Sequence, residues 1–296
     1  MAEVTEEWAA AGEQNALGGV PAVVEMQSEA GAAGAMHGAL LAGALATTFT
    51  ASQGLLLMIP DLYKMAGEHL PGVVHVAART IATHALSIFG DHSDIYACRQ
   101  TGIAIFCENS VQEVMDLAPV AHLCALWGRI PFLNFFDGFR TSHEIQKIAC
   151  WSQKELQELF PVEEVMAFRR CALNSNHPVE MGAAQNPDIF FQVKEASNLD
   201  YERLPVLVKG CLAKINEKCG THYRLYEYVG SRDATTIIIA MGSVCETIEE
   251  TIPFLQEKGE KVGCLKVRLY RPFSKADFLD AIPDTVECIQ VLDRTK

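Results

Sequence analysis

Short apolar runs alternate with longer stretches of helical spacing along this sequence, and that alternation is its strongest constraint on fold. Residues 72–78, 103–107, 131–136 and 235–240 are near-continuously apolar. A strand with one wet face alternates apolar and polar residues. One buried on both faces does not, and such strands belong to parallel sheets covered by helices. Segments of helical spacing at 30–46, 55–69, 111–126 and 244–258 stand before, between or after them. The expected class is therefore α/β, with a parallel sheet and crossover helices.

The stretch from Ala22 to Gly34 carries the first candidate site. Ala22-Val23-Val24-Glu25-Met26 follows Pro21 and has strand character. From Ala30 the sequence is nearly all Ala, Gly and Leu, with Gly31, Gly34, Gly38 and Gly43 along it. A glycine inside a helix costs about 1 kcal/mol against alanine, so this spacing implies that a neighbouring element or a ligand comes close to the backbone. Glu29 stands where the strand hands over to the helix, on the edge where open α/β sheets bind ligands. A dinucleotide site is excluded on two grounds. The glycines run G-x-x-G-x-x-x-G, not G-x-G-x-x-G, and a carboxylate just before them repels a pyrophosphate. Two readings of Glu29 stay open on local sequence: an ordinary acid at a helix N-terminus, or an acceptor for a neutral heterocycle.

Charge and cysteine usage remove other classes. The net charge of −13 argues against nucleic acid or an anionic membrane as the main partner. The longest apolar stretch, 30–48, is rich in Ala and Gly and interrupted by His37, so it reads as a buried core helix rather than a membrane span. The ten cysteines contain no C-x-x-C pair and mostly lie in apolar runs. They read as buried free thiols in a reducing compartment, without a disulfide framework or a ferredoxin-type cluster motif. No secretory signal pattern opens the sequence.

In order along the chain, 1–15 reads as an amphipathic helix ended by Gly18-Gly19. Strands are expected at 22–26 and 47–50, and the helix at 55–69 is expected to kink or break near Pro60. Residues 80–90 read as loop or short helix. The pattern loosens from 151 to 199, with Ser152 capping a helix, and 201–218 is helical again. Past Arg224 a βαβ unit follows: strand 235–240, turn 241–243, helix 244–258 and strand 262–268. Helix 275–281 and strand 287–292 complete the pattern.

The motifs are long. Val24-Glu25-Met26-Gln27-Ser28-Glu29-Ala30-Gly31-Ala32 is followed by Thr48-Phe49-Thr50-Ala51-Ser52-Gln53-Gly54 and by His75-Val76-Ala77-Ala78-Arg79. Then come Phe89-Gly90-Asp91-His92-Ser93-Asp94, Cys98-Arg99-Gln100-Thr101-Gly102 and Phe135-Phe136-Asp137-Gly138-Phe139-Arg140-Thr141-Ser142-His143-Glu144. This succession closely resembles the pyruvate:ferredoxin oxidoreductase family, most densely from residue 22 to 148. The resemblance implies a parallel-sheet thiamine-diphosphate domain of the pyrimidine-binding type over 1–223, truncated at its N-terminus. It also implies the start of a transketolase C-terminal-like α/β domain over 224–296.

The implied activity is oxidative decarboxylation of pyruvate with coenzyme A to acetyl-CoA and CO2, with electrons passed through iron–sulfur clusters to ferredoxin or flavodoxin. The resemblance further implies a homodimer in the cytoplasm, or in a hydrogenosome-like organelle of a eukaryote. In the family a Thr-Pro-Ser-Ser-type loop comes just before the matched region. It has no counterpart here, so Met1 is expected to be an internal methionine and the sequence a fragment, inactive alone. The family holds the diphosphate through Mg2+ on a Gly-Asp-Gly segment followed by an asparagine. Asp137-Gly138 lacks the leading glycine, so no metal ligand is assigned here. Mg2+ and the [4Fe-4S] clusters are expected on other domains of the same polypeptide.

By the same resemblance Glu29 takes the hydrogen bond of the cofactor's aminopyrimidine ring, with Glu25 the weaker choice, and Arg79 grips the carboxylate of a 2-oxo acid. A guanidinium can do so bidentately; the alternative is a strand-end arginine paired with Asp91 or Asp94. Leu86 is a candidate apolar support under the cofactor, or else a core leucine. Asp91-His92-Ser93-Asp94 is neither a triad nor a convincing metal site and reads as a turn bonded to local backbone. Gln53, Asp137 and His143 follow strands and face either the site or a neighbouring domain. Two rival functions are another 2-oxo acid oxidoreductase and a non-catalytic assembly module docking through the same face.

Overall fold

The structure, a computed structural model, describes residues 2–295; the expectation about Met1 falls outside them. Helix α1 (Ala2–Ala10) and an irregular segment lead to α2 (Glu29–Leu41), β1 (Thr47–Thr50), α3 (Gln53–Gly67) and β2 (Val73–Ala78). A loop and the short α4 (Ser93–Cys98) precede β3 (Ala104–Cys107), α5 (Val111–Gly128) and β4 (Phe132–Asp137). Helices α6 (Gln153–Leu159), α7 (Val162–Arg170), α8 (Pro187–Ala196) and α9 (Asn198–Cys219) follow. The last third holds β5 (Tyr226–Gly230), β6 (Thr236–Ala240), α10 (Val244–Glu257), β7 (Val262–Val267), β8 (Leu269–Arg271), α11 (Lys275–Asp280) and β9 (Cys288–Leu292).

Two sheets form among the described residues. The first has the order β1-β2-β4-β3-β8 and the second β5-β7-β6-β9. In the first, β1, β2, β4 and β3 run parallel, with His75 opposite Asn134 and Ala78 opposite Asp137. In the second, β6 pairs in parallel with β7 and β9, and β5 lies antiparallel on β7. Strand β8 lies beyond residue 223 in the chain, yet it pairs antiparallel with β3 in the first sheet. Only Arg268 separates it from β7, so one extended segment leaves the second sheet and joins the first.

The core sits on the faces of the first sheet, as continuous apolar strands require. Leu55, Met58 and Leu62 of α3 and Leu117, Val120 and Leu123 of α5 are buried there, and Val208, Leu212 and Ile215 bring α9 onto α5. Strand β4 is buried along its whole length. Its C-terminal end and those of β1 and β2 lie side by side.

Four expectations need correction. Residues 22–26 form no strand: the first sheet ends at β1, so they have no ladder partner, and Val24 is 67% exposed. Helix α3 runs through Pro60 without a break. Pro60 is on the exposed side, and Leu55, Met58, Leu62 and Met65 hold the opposite face to the core. Helix α2 is not buried all round, since only Ala33, Met36 and Leu40 are. Its glycines 34 and 38 face open space, so no other element of this chain approaches them. The helix ends early because Gly43 turns the chain at φ +80, where Ala172 leaves no room for a side chain. Strands β5 and β8 and helices α4, α7 and α8 lie outside the expected elements. No described helix is long and apolar enough to cross a membrane.

Candidate functional site at the carboxyl edge of the first sheet

Glu29 is the first residue of α2, capped by Ser28, whose Oγ accepts from the Gly31 amide at 3.4 Å. Its side chain is exposed and reaches across to the start of α3. A Cβ added to Gly54 would lie 2.7 Å from Glu29 Cγ, 2.8 Å from its Oε1 and 2.6 Å from Thr50 Oγ1. Glycine at 54 therefore lets an acid lie on the α3 backbone beside the end of β1. Thr50 Oγ1 beneath it is buried without a hydrogen-bond partner.

The turn between β1 and α3 is strained. Ser52 has φ 52 and ψ −125, a conformation that favours glycine. Its amide and its single hydroxyl proton, shared between two acceptors, hold it. Its amide donates to Asp94 Oδ2 at 2.9 Å, and its hydroxyl lies 2.7 Å from Thr80 O and 2.6 Å from Gln53 Oε1. Gln53 in turn donates to Ala82 O at 3.1 Å. The loop after β2 is thus tied to the end of β1.

Arg79 follows β2 and is half-buried. Its side chain lies across Gly138, just past β4: a Cβ there would meet Ala78 O at 2.7 Å and Arg79 Nε at 2.9 Å. That Nε is buried and unpartnered, and no ion pair engages the guanidinium among the described residues. The alternative of a pair with Asp91 or Asp94 therefore fails for the side chain. What reaches Asp94 is the Arg79 amide, donating to Oδ2 at 3.1 Å. Burial pushes the Asp94 carboxyl up to about 6, against the pull of the amides of Arg79, Ser52 and Ile95. Leu86, in the loop after Arg79, is 69% exposed, which removes the core-leucine alternative.

The segment 91–94 is the turn that was expected in part. Asp91 Oδ1 accepts from the Ser93 amide at 2.7 Å, but His92 turns inward, its Nε2 2.7 Å from Asp137 Oδ1. Asp137, the fully buried last residue of β4, also accepts from the amide and hydroxyl of Ser243 and from Arg294 Nη1 at 2.7 Å. It therefore faces the second unit, settling one of the positions left open. Burial pushes its carboxyl up, but His92, Ser243 and Arg294 outweigh this and hold it at about 2. An unfolded aspartate titrates near ~3.9, so the contact contributes about 2 kcal/mol that is complete above about pH 4. The contribution fades as pH falls through the folded value. Urea unfolding at pH 7 and near pH 3 will show part of this loss, and Asp137→Asn will narrow the difference.

Beside this contact lies a cavity of 680 Å³ lined by Phe139, Arg140, His143, Ser243 and Arg294 among others. Neither Glu29 nor Arg79 lines it. His143 belongs to this cavity and stacks on Phe139. Among the described residues, no group of three or more His, Cys, Asp or Glu side chains is placed to hold a metal ion. The parts that sequence reasoning missed are Ser52 and Asp94 as one bonded unit, and Arg294. Only Asp137, an acid closing an apolar strand, carried a visible signal.

Comparison with known proteins identifies the family. Residues 1–211 match the family described as pyruvate flavodoxin/ferredoxin oxidoreductase, thiamine diphosphate-binding, and residues 234–296 match pyruvate:ferredoxin oxidoreductase core domain II. Over all 296 residues the chain is 60% identical to the pyruvate-flavodoxin oxidoreductase of Enterobacter agglomerans. It is 58% identical to the pyruvate:ferredoxin oxidoreductase of Moorella thermoacetica. It covers 25% of the length of each. Among solved structures, a 2-oxoglutarate:ferredoxin oxidoreductase from Magnetococcus marinus, with 2-oxoglutarate, coenzyme A and succinyl-CoA bound, shares the fold at a TM-score of 0.63. That match has 18% identity and covers 93% of this chain and 50% of the other.

Proposed function

Because this chain belongs to the thiamine-diphosphate-binding family of the pyruvate flavodoxin/ferredoxin oxidoreductases, we propose that Glu29 and Arg79 are its contribution to an active site for pyruvate oxidation. The relatives are about four times as long, this chain covering 25% of them. The remaining parts of the site, including the ligands of Mg2+ and of the iron–sulfur clusters, are assigned to the rest of the polypeptide. Coenzyme A and ferredoxin or flavodoxin complete the reaction that this reading implies.

The residues present fit the pyrimidine end of the cofactor and the carboxylate of the substrate. Glu29 offers an exposed acceptor resting on Gly54, with a buried, unpartnered hydroxyl from Thr50 below it. Arg79 offers a guanidinium with a buried, unpartnered Nε laid over Gly138. Thiamine diphosphate, when bound, supplies the nucleophilic carbon that activates a 2-oxo acid for loss of CO2. Glu29 contributes the carboxylate that shares a proton with the aminopyrimidine ring, general acid–base work by a positioned group. Arg79 orients the substrate carboxylate by charge-assisted hydrogen bonds. Leu86, in the loop after Arg79, is exposed and free to support the cofactor.

The observation that carries this reading is the placement of Glu29: an acid held over a glycine at a strand end, with no ion pair among the described residues. One experiment tests the division of the site. Calorimetric titration of thiamine diphosphate and Mg2+ into this 296-residue chain is expected to show no micromolar binding, whereas the full-length protein binds. Micromolar binding by the chain alone contradicts a shared site.

A further inference from the structure

Asp94 bonds no side-chain atom of Glu29 or Arg79, yet one of its oxygens takes the amide of Arg79 and that of Ser52, two residues before the glycine on which Glu29 lies. Oδ2 accepts from the Ser52 amide at 2.9 Å and from the Arg79 amide at 3.1 Å. Oδ1 accepts from the Ile95 amide at 2.8 Å, so the carboxylate is itself anchored at the first turn of α4. The side chain is fully buried, with no bulk water to replace these bonds. We propose that Asp94 is a positioning residue, a bridge between the ends of β1 and β2 that sets the separation of the two candidate site residues.

The physical chain is short. Ser52 is held in a conformation that serine avoids, and the Asp94 bond is one of the contacts opposing its relaxation. Two residues on, Gly54 forms the surface on which Glu29 lies. A relaxed Ser52 would move that surface. On the other branch, the Arg79 peptide is the root of the guanidinium that crosses Gly138. Because the same oxygen takes both amides, neither strand end shifts without the other. This inference rests on the reading of Glu29 and Arg79 as site residues, and the test separates the two.

The experiment uses the full-length oxidoreductase and its Asp94→Asn variant, with Glu29→Gln as a control, and reads amide hydrogen exchange alongside pyruvate kinetics. In the unaltered protein the Ser52 and Arg79 amides are expected to be protected like those of β2. In Asp94→Asn they exchange about 10-fold faster or more, the loss of bonds to a charged acceptor, while amides of β4 do not. KM for pyruvate rises about 10-fold as the guanidinium loses its fixed root. A merely structural role would lower the active fraction, and so kcat, with KM unchanged; that outcome overturns the proposal. Loop-like exchange of the two amides in the unaltered protein also overturns it, and needs no variant to fold. If Glu29→Gln loses turnover while Asp94→Asn changes neither exchange nor KM, the site reading stands and the positioning role falls. If Glu29→Gln keeps full turnover, the site reading falls and the positioning role with it.

Discussion

Replacing Glu29 by alanine in the full-length oxidoreductase will lower pyruvate decarboxylation by about 100- to 10,000-fold, the range a positioned acid–base group contributes. The melting temperature will stay where it is. The two halves of this expectation have separate causes. Glu29 is exposed and leans on Gly54 and Thr50 without an ion pair among the described residues. Truncation at such a place opens no cavity and strands no buried charge, and surface changes of that kind stay within about 0.5 kcal/mol. Pyruvate-dependent CO2 release and circular-dichroism melting, run on the same preparation, check both halves. Undiminished CO2 release removes Glu29 from the mechanism.

Arg268→Ala will destabilise the chain by about 3–5 kcal/mol, the penalty for removing one partner of a buried ion pair. Arg268 is 1% exposed. Its Nη2 lies 2.6 Å from Glu113 Oε1 on α5, and its Nη1 lies 2.5 Å from Glu227 Oε2 on β5. Burial pulls its basicity down, but Glu113 and Glu227 outweigh this and raise it. The guanidinium also stands 5.0 Å from the ring centre of Tyr223. Glu113 and Glu227 would be left facing each other's units without their shared cation, although Lys266 still serves Glu227 at 2.8 Å. Urea unfolding reads the change, and a loss below about 1 kcal/mol would show that water enters and takes over both carboxylates.

The architecture was legible where burial acts on both faces of a strand. Gly72–Ala78 and Pro131–Phe136 stand out as near-continuous apolar runs, and the observed β2 and β4 fall within a residue of them. The same logic failed for 22–26, because strand character is a local property whereas a strand needs a neighbour to bond. Strand β5, with its burial only partial after Tyr226, has no run to read, and β8 is three residues long. The site was half-legible. Glu29 and Arg79 stand out as charges next to apolar or small residues. Asp94 does not, because what matters about it is two backbone amides 42 and 15 residues away in the chain. The bent conformation of Ser52 leaves no trace in residue type, since serine is not what such a conformation favours.

The segment that passes from β7 through Arg268 into β8 also orders assembly in time. During synthesis from the N-terminus, β1 to β4 emerge long before residues 269–271, which occupy the free side of β3. Until then that strand shows unpaired amides and carbonyls to solvent, an open edge able to capture another nascent chain. The hydrogen bond from the Cys107 amide to Arg268 O, at 2.8 Å, closes it only when the second sheet is being laid down. Neither half matures on its own schedule: the earlier-made sheet waits for the later one to hand over its last strand.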